Sequence, residues 1–190
     1  MQIVKARWAL PALVVMGGIN SARAQGAIDK LQPLVETSAR RLALAKLVAL
    51  EKWDRQAPVE DVAREAQVLT GAATDGESSG LDRTFVAQFF KAQIEANKVV
   101  QYSLLAHWRR AGVAPAHRPI DLAATIRPEL DRLEKELLRE LADTVAIRAT
   151  AACPADTAIA VGRYLAGHRH DARSLQAIAL DRAMAASCTP

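Results

Sequence analysis

Apolar residues run along this chain at helical spacing, and no convincing alternating stretch of the kind a strand would need is present. The densest run is residues 41–53, Arg-Leu-Ala-Leu-Ala-Lys-Leu-Val-Ala-Leu-Glu-Lys-Trp. Apolar nearly all round, it belongs as a helix inside a bundle rather than on a surface. The pattern places it in a first helix over residues 27–53, with Pro33 tolerable only in its early turns. Pro58 breaks that helix, and Pro58-Val-Glu-Asp opens a second, which the pattern ends at Gly71. Residues 74–80 are polar and rich in Gly and Ser, and read as a loop. Asp82 can cap a long third helix over residues 83–110 that Gly112 ends. Its apolar positions Phe85, Phe89, Ile94, Val99, Leu104, Leu105 and Trp108 cover more than one stripe, which suits the centre of a bundle. A connector over residues 113–119 follows. Asp121 can cap a fourth helix reaching about Ala149, with Pro128 forcing a kink at Arg127. Residues 153–188 read as a helical hairpin turning near residues 167–171.

Composition agrees with this pattern. The chain has 190 residues, of which 51% are hydrophobic and only 4% aromatic, enough to fill one core with aliphatic side chains. The expectation is an all-α, multi-helix bundle forming a single domain. The first 24 residues are separate. Lys5 and Arg7 give a basic start, an apolar run follows over residues 8–19, and Ser21-Ala-Arg-Ala24 is a small-x-small cleavage pattern. This reads as a signal peptide cut after Ala24, leaving residues 25–190 as the mature domain, periplasmic or secreted. The run is short for a membrane span and contains Pro11, Gly17 and Gly18. No membrane association is expected after cleavage.

Removing that segment takes three of the 25 basic residues and no acidic one, leaving 22 against 21 acidic. A precursor pI near 9.3 therefore does not signal nucleic-acid binding, and the basic residues are not interleaved with aromatics. Cys153 and Cys188 are the only cysteines. In an exported chain they read as one disulfide clamping the C-terminal hairpin, against the alternative of two buried thiols.

Several chemistries are not supported. None of His107, His117, His168 and His170 has a Glu three residues before it, as a di-iron bundle site requires. His168 and His170 read as surface residues. There is no Gly-rich phosphate loop and no Gly-x-Ser-x-Gly. No metal site and no cofactor is expected. What is left is polar groups in apolar surroundings. Arg41 and Lys52 are eleven residues apart, about three helical turns, and so point the same way. An internal carboxylate would answer them, and so would a small anion bound inside the bundle. Asn97 and Gln101, four apart, share a helix face. Arg64 lies twelve residues beyond Lys52, across the Pro58 turn, and can point back at the same place or pair with Asp61 or Glu65.

Taken together, Arg41, Lys52-Trp53, Pro58-Val-Glu-Asp-Val-Ala-Arg64, Gln93-Ile94, Gln101-Tyr-Ser, Trp108, Arg127 and the cysteine pair resemble the all-helical chorismate mutases, specifically their exported branch. The resemblance spans about residues 31–188. It implies conversion of chorismate to prephenate by a Claisen rearrangement without cofactor. It further implies that Lys52 and Gln101 contact the ether oxygen and that Arg41 and Arg127 grip carboxylates. Arg64 would line the site, and Glu65 or Asp61 would receive the ring hydroxyl. Asn97 departs from the Ser or Thr often found in relatives. By resemblance a homodimer is expected, with each site inside one chain. The competing reading is a non-catalytic exported helical module that binds a small organic dicarboxylate.

Overall fold

The computed structural model of the protein describes residues 18–168 and 174–189, with side chains from residue 23. Most of the expected signal peptide, together with His170 and part of the hairpin turn, lies outside the described residues. The described segments are helical, as expected: α1 (Gly18–Ala43), α2 (Ala45–Arg55), α3 (Val62–Ser78), α4 (Arg83–Ala111), α5 (Arg127–Asp143), α6 (Val145–Arg148), α7 (Cys153–Gly167) and α8 (Leu175–Met184).

The long α4 occupies the centre, against α1, α2, α3 and α8. Phe89, Phe90 and Val86 are fully buried along it, meeting Leu31, Leu34 and Val35 of α1 and Leu137 and Leu141 of α5. Each such side chain contributes about 1.5–3 kcal/mol on burial. Its ends are fixed as the sequence indicates. Asp82 accepts the Phe85 N–H at 2.7 Å. Gly112 takes φ +73°, letting the Val113 N–H reach back to the Trp108 carbonyl at 3.2 Å. Gln93, buried in the middle, donates to Ser38 Oγ at 2.9 Å and to the Ala183 carbonyl at 3.2 Å, pinning α4 to α1 and α8.

Several boundaries differ from expectation: α1 already runs from Gly18, and the expected fourth helix is broken at Thr144 into α5 and α6. The first helix is divided at Leu44, whose N–H reaches the Arg41 carbonyl at 3.3 Å in a tighter turn. Because Leu44 keeps right-handed helical angles, α2 continues nearly in line with α1. The larger difference is α3, which starts four residues after Pro58, behind an Asp61 cap, and runs through Gly71 to Ser78. Its polar residues satisfy themselves within the helix: Thr74 and Ser78 hydroxyls donate to carbonyls four residues back at 3.0 and 3.2 Å. Ala72, Ala73 and Gly76 are buried on its inner face. The stop is Gly80, at φ +78°, with the Leu81 N–H closing on the Gly76 carbonyl at 2.9 Å. Tertiary burial of small residues thus overrides the weak helix propensity of residues 71–78.

Asp121 receives the N–H groups of Ala123 and Ala124 at 2.8 and 3.0 Å, and a wide π-type turn (Leu122–Ile126) leads into α5. Pro128 cannot donate in this turn, and Arg127 stands at the junction as expected. Cys153 and Cys188 form a disulfide, clamping the α7–α8 hairpin. Arg148, which drew no attention in the sequence, is 1% exposed. Its guanidinium lies 4.2 Å over the Phe85 ring and donates to the Leu141 and Ser187 carbonyls, tying the C-terminal segment to the core.

Gly76 marks the closest approach of α3 to its neighbours. A Cβ there would stand 2.8 Å from Val86 Cγ2 and 3.3 Å from Leu138 Cδ2. Gly76→Ala gains about 1 kcal/mol of helix propensity, yet overpacking against a β-branched neighbour costs about 1–3 kcal/mol. Net destabilisation in urea unfolding is expected, and a more stable variant would refute this packing argument.

Candidate active site

One cavity of about 160 Å³ lies between α1, α2, α3, α4 and the start of α5. Each wall comes from a local feature of the sequence. Leu50 of α2 is buried with Leu105 and Trp108 of α4, and Trp53 meets Trp108 edge-on at 6.1 Å. Seating that apolar face on α4 turns Val48 and Lys52 to the cavity, while Arg41 enters from the last turn of α1. The Asp61 cap, accepting the Arg64 N–H at 3.1 Å, begins α3 so that Arg64, Glu65 and Val68 line the next wall. Asn97, Lys98 and Gln101 come from α4, and Ile126, Arg127, Leu130, Asp131 and Glu134 from the turn and helix behind Asp121. All eight residues singled out in the sequence, Arg41, Lys52, Asp61, Arg64, Glu65, Asn97, Gln101 and Arg127, border this one space.

Two of the cations there, Arg41 and Lys52, have no carboxylate partner among the described residues. Arg41 is 6% exposed, and its Nε has no hydrogen-bond partner. No carboxylate among the described residues lies within ion-pair distance of it. Burial pushes its pKa down to about 10, with the Glu134 carboxylate pulling weakly the other way. Lys52 donates through Nζ to the Val59 carbonyl. Burial lowers its pKa against the pull of Asp61, Glu51, Glu65 and Glu60. Arg64 is 3.9 Å from Asp131 and partly exposed, and Arg127 lies exposed at the rim. Neither Asp61 nor Glu65 pairs with Arg64, contrary to the alternative left by the spacing. Burial also raises the pKa of Glu134, while Arg41 lowers it.

The neutral pair faces the same space. Gln101 Nε2 donates to Asn97 Oδ1 at 2.7 Å, and Gln101 Oε1 is buried without a partner. An amide nitrogen has two hydrogens, so one N–H of Gln101 remains unused by Asn97. Such an arrangement can hold a compact dianion, with a fixed ammonium and an amide donor beside it.

Sequence reasoning missed Lys98, Asp131 and Glu134. The last two were accessible, because they stand four and seven residues beyond Arg127 on one helix face. Lys98 had a weaker signal, its adjacency to Asn97. It is held by Glu60 at 2.8 Å, Glu95 at 2.9 Å and Glu65 at 3.2 Å.

Comparison with known proteins agrees with this geometry. Residues 26–102 match the family model of chorismate mutase type II. A secreted chorismate mutase of Mycolicibacterium smegmatis is 30% identical, with 69% of this chain aligned to 72% of that protein. A crystal structure of chorismate mutase from Burkholderia phymatum is 43% identical, covering 87% of this chain and 99% of that one, with a TM-score of 0.82. The chain belongs to the chorismate mutase type II family. A secreted chorismate mutase of Mycobacterium tuberculosis is 33% identical, and the alignment takes in 70% of this chain and 65% of that relative's length. Of the cations that line the cavity, Arg41 is the most deeply buried.

A buried base whose pKa falls on folding destabilises the native state while both states are protonated. For Arg41 that cost is present at neutral pH and is relieved as pH rises past about 10. Arg41→Met should therefore raise unfolding stability at pH 7 by about 1–3 kcal/mol, while weakening dicarboxylate binding by two orders of magnitude or more. Chemical denaturation and calorimetric titration measure the two effects, and a destabilised Arg41→Met protein would contradict the account.

Proposed function

We propose that this cavity binds chorismate and rearranges it to prephenate. The observation that carries the reading is the pair Arg41 and Lys52, facing one cavity with no carboxylate within ion-pair distance among the described residues. A dicarboxylate substrate supplies the missing anions. Arg41 and Arg127 would each take a carboxylate through the forked guanidinium geometry, and Arg64 adds to the same field. Held at both ends, the enolpyruvyl side chain folds over the ring into the reactive conformer.

The reaction breaks a C–O bond and forms a C–C bond in one concerted step. Negative charge builds on the ether oxygen as the C–O bond lengthens. An ammonium from Lys52 and the spare N–H of Gln101, both aimed there, would bind the transition state more tightly than the substrate. Asn97 Oδ1 fixes which face of the Gln101 amide points inward. Asp61 or Glu65 would accept the ring hydroxyl. Arg41, Lys52, Arg64 and Arg127 all come from a single polypeptide, which supports a site complete within one chain, in a homodimer as well.

Export of the protein is supported by the disulfide and by relatives named as secreted in Mycobacterium tuberculosis, Mycolicibacterium smegmatis and Yersinia pestis. Among the described residues no helix is long and apolar enough to cross a membrane. Cleavage after Ala24 would shorten the exposed start of α1 and leave its buried part, from Ile28 onward, in place. The mature protein would then be one domain over residues 25–190.

Purified protein should consume chorismate at neutral pH, and Lys52→Ala should lower kcat by at least about 10²–10³. A folded, inactive wild-type protein would leave the alternative, a non-catalytic dicarboxylate-binding module. Gln101 supplies a second check. An amide donates at any ordinary pH, whereas a carboxyl donates only when protonated. The wild type should show little acid dependence, and Gln101→Glu should move the optimum to lower pH. Superimposable pH profiles would count against Gln101 at the ether oxygen.

A further inference from the structure

Lys52 is surrounded by acids. Asp61, Glu51, Glu65 and Glu60 all act on its charge, yet none lies within ion-pair distance of Nζ. Each is occupied elsewhere. Glu51 pairs with Arg55 at 3.1 Å. Asp61 is spent on the Arg64 N–H at the head of α3. Glu60 is held by Lys98 at 2.8 Å and by the Tyr102 hydroxyl at 2.8 Å. Glu65 is held by Lys98 at 3.2 Å. Lys98 thus accounts for two of the four, and it also meets Glu95 at 2.9 Å.

We propose that Lys98 is a positioning residue that keeps Lys52 available to the reacting molecule by holding Glu60 and Glu65 away from it. The inference rests on the reading of the cavity as a chorismate mutase site.

The geometry leaves those two acids few other partners. Glu60 sits on the short connection between α2 and α3, and Glu65 on the first turns of α3. The same connection lies on Lys52, which donates to the Val59 carbonyl one residue before Glu60. Lys98 reaches both acids from α4, with its side chain only 11% exposed, so its ammonium is the cation the fold delivers there. Remove it, and Lys52, whose charge both carboxylates already act on, is left as a cation for either to approach. A contact within the protein competes with the substrate at every substrate concentration, and the cavity becomes more negative by one charge. Burial works against the Lys98 charge, but hydrogen bonds to Glu60, Glu95 and Glu65 outweigh it and raise its pKa, so the cation persists through any working pH. Glu60 is correspondingly held below the usual carboxylate range by Lys98 and Tyr102.

The test is a pH series of chorismate turnover with wild type, Lys52→Ala, Lys98→Met, Lys98→Arg and the double variant Lys98→Met/Glu60→Gln. At neutral pH Lys98→Met should lose about tenfold or more in kcat/KM, mostly through KM, because an added negative charge faces a dianion. Lys98→Arg, which keeps the cation, should stay within about threefold of wild type. Adding Glu60→Gln should recover a large part of the Lys98→Met loss. The alkaline limb of the profile, where Lys52 deprotonates, should move to higher pH in Lys98→Met, since the freed carboxylates of Glu60 and Glu65 join Asp61 and Glu51 in holding that proton. Loss of packing alone would leave the limb unmoved and would not be reversed by Glu60→Gln, and that result overturns the proposal. So does undiminished activity in Lys98→Met. Absence of turnover in the wild type itself would instead remove the reading of the site, and an active wild type separates the two failures.

Discussion

The structure depends on keeping two cations, Arg41 and Lys52, in a half-buried cavity without giving them anions of their own. Arg41 is almost wholly buried and lacks a carboxylate within ion-pair distance among the described residues. Removing a charge from water without a partner costs several kcal/mol even after relaxation. The remainder of the fold has to offset that cost. It does so with apolar burial along α4 and α1, where Leu31, Leu34, Val86, Phe89 and Phe90 are fully enclosed. The disulfide closing the 35-residue separation between Cys153 and Cys188 adds about 3–4 kcal/mol in the chain-entropy view.

Holding cations apart is only half of the arrangement, because 21 acidic residues share the chain with them. The carboxylates near the cavity are engaged in other work. Asp61 caps α3, Glu51 answers Arg55, and Lys98 gathers Glu60, Glu65 and Glu95. Glu134 faces the cavity, and burial raises its pKa, which lessens the negative charge it presents to an incoming anion as pH falls. The field inside the cavity is therefore set as much by where the acids are tied as by where the bases point. Surface pairs such as Arg132 with Glu129 contribute little to this, being screened by solvent.

Much of this was legible in the sequence because it rests on local rules. Spacing along a helix put Arg41 with Lys52 and Asn97 with Gln101, and all four line the cavity. Caps at Asp82 and Asp121 and the stop at Gly112 are short-range hydrogen-bond chemistry, and the structure has each. Residues 71–78 were misread because Gly and Ser punctuate a chain only when nothing else holds it. Here Ala72, Ala73 and Gly76 pack inward, and Gly76 lets α3 approach Val86 and Leu138 closely. Lys98 and Arg148 were illegible for a different reason. Each acquires its role from partners distant in the chain: Glu60 lies 38 residues before Lys98 and Ser187 lies 39 after Arg148. No periodicity encodes such meetings.

Where the polar atoms go unsatisfied is itself informative. Among the described residues, five buried side-chain nitrogens or oxygens lack a partner, and two of them, Arg41 Nε and Gln101 Oε1, belong to residues that line the cavity. Each unpaired buried group costs about 1–3 kcal/mol. A folded protein has cheaper ways to place these groups. Arg41 could face solvent, as Arg64 and Arg127 partly do, and Gln101 could be apolar like its neighbour Val100, which is buried without cost. Retaining Arg41 there stores destabilisation at a place where a bound dianion can release it, whereas the Gln101 carbonyl oxygen, an acceptor, is answered only by a donor such as a hydroxyl. Such preorganised groups need no rearrangement when charge develops in a transition state, which is why stability given up here can reappear as rate. The same reasoning explains why Lys52 and Gln101 are carried on packed helices rather than on loops. Tolerances of a few tenths of an ångström at Lys52 and Gln101 are held only if Trp53, Trp108 and Leu50 keep α2 seated on α4.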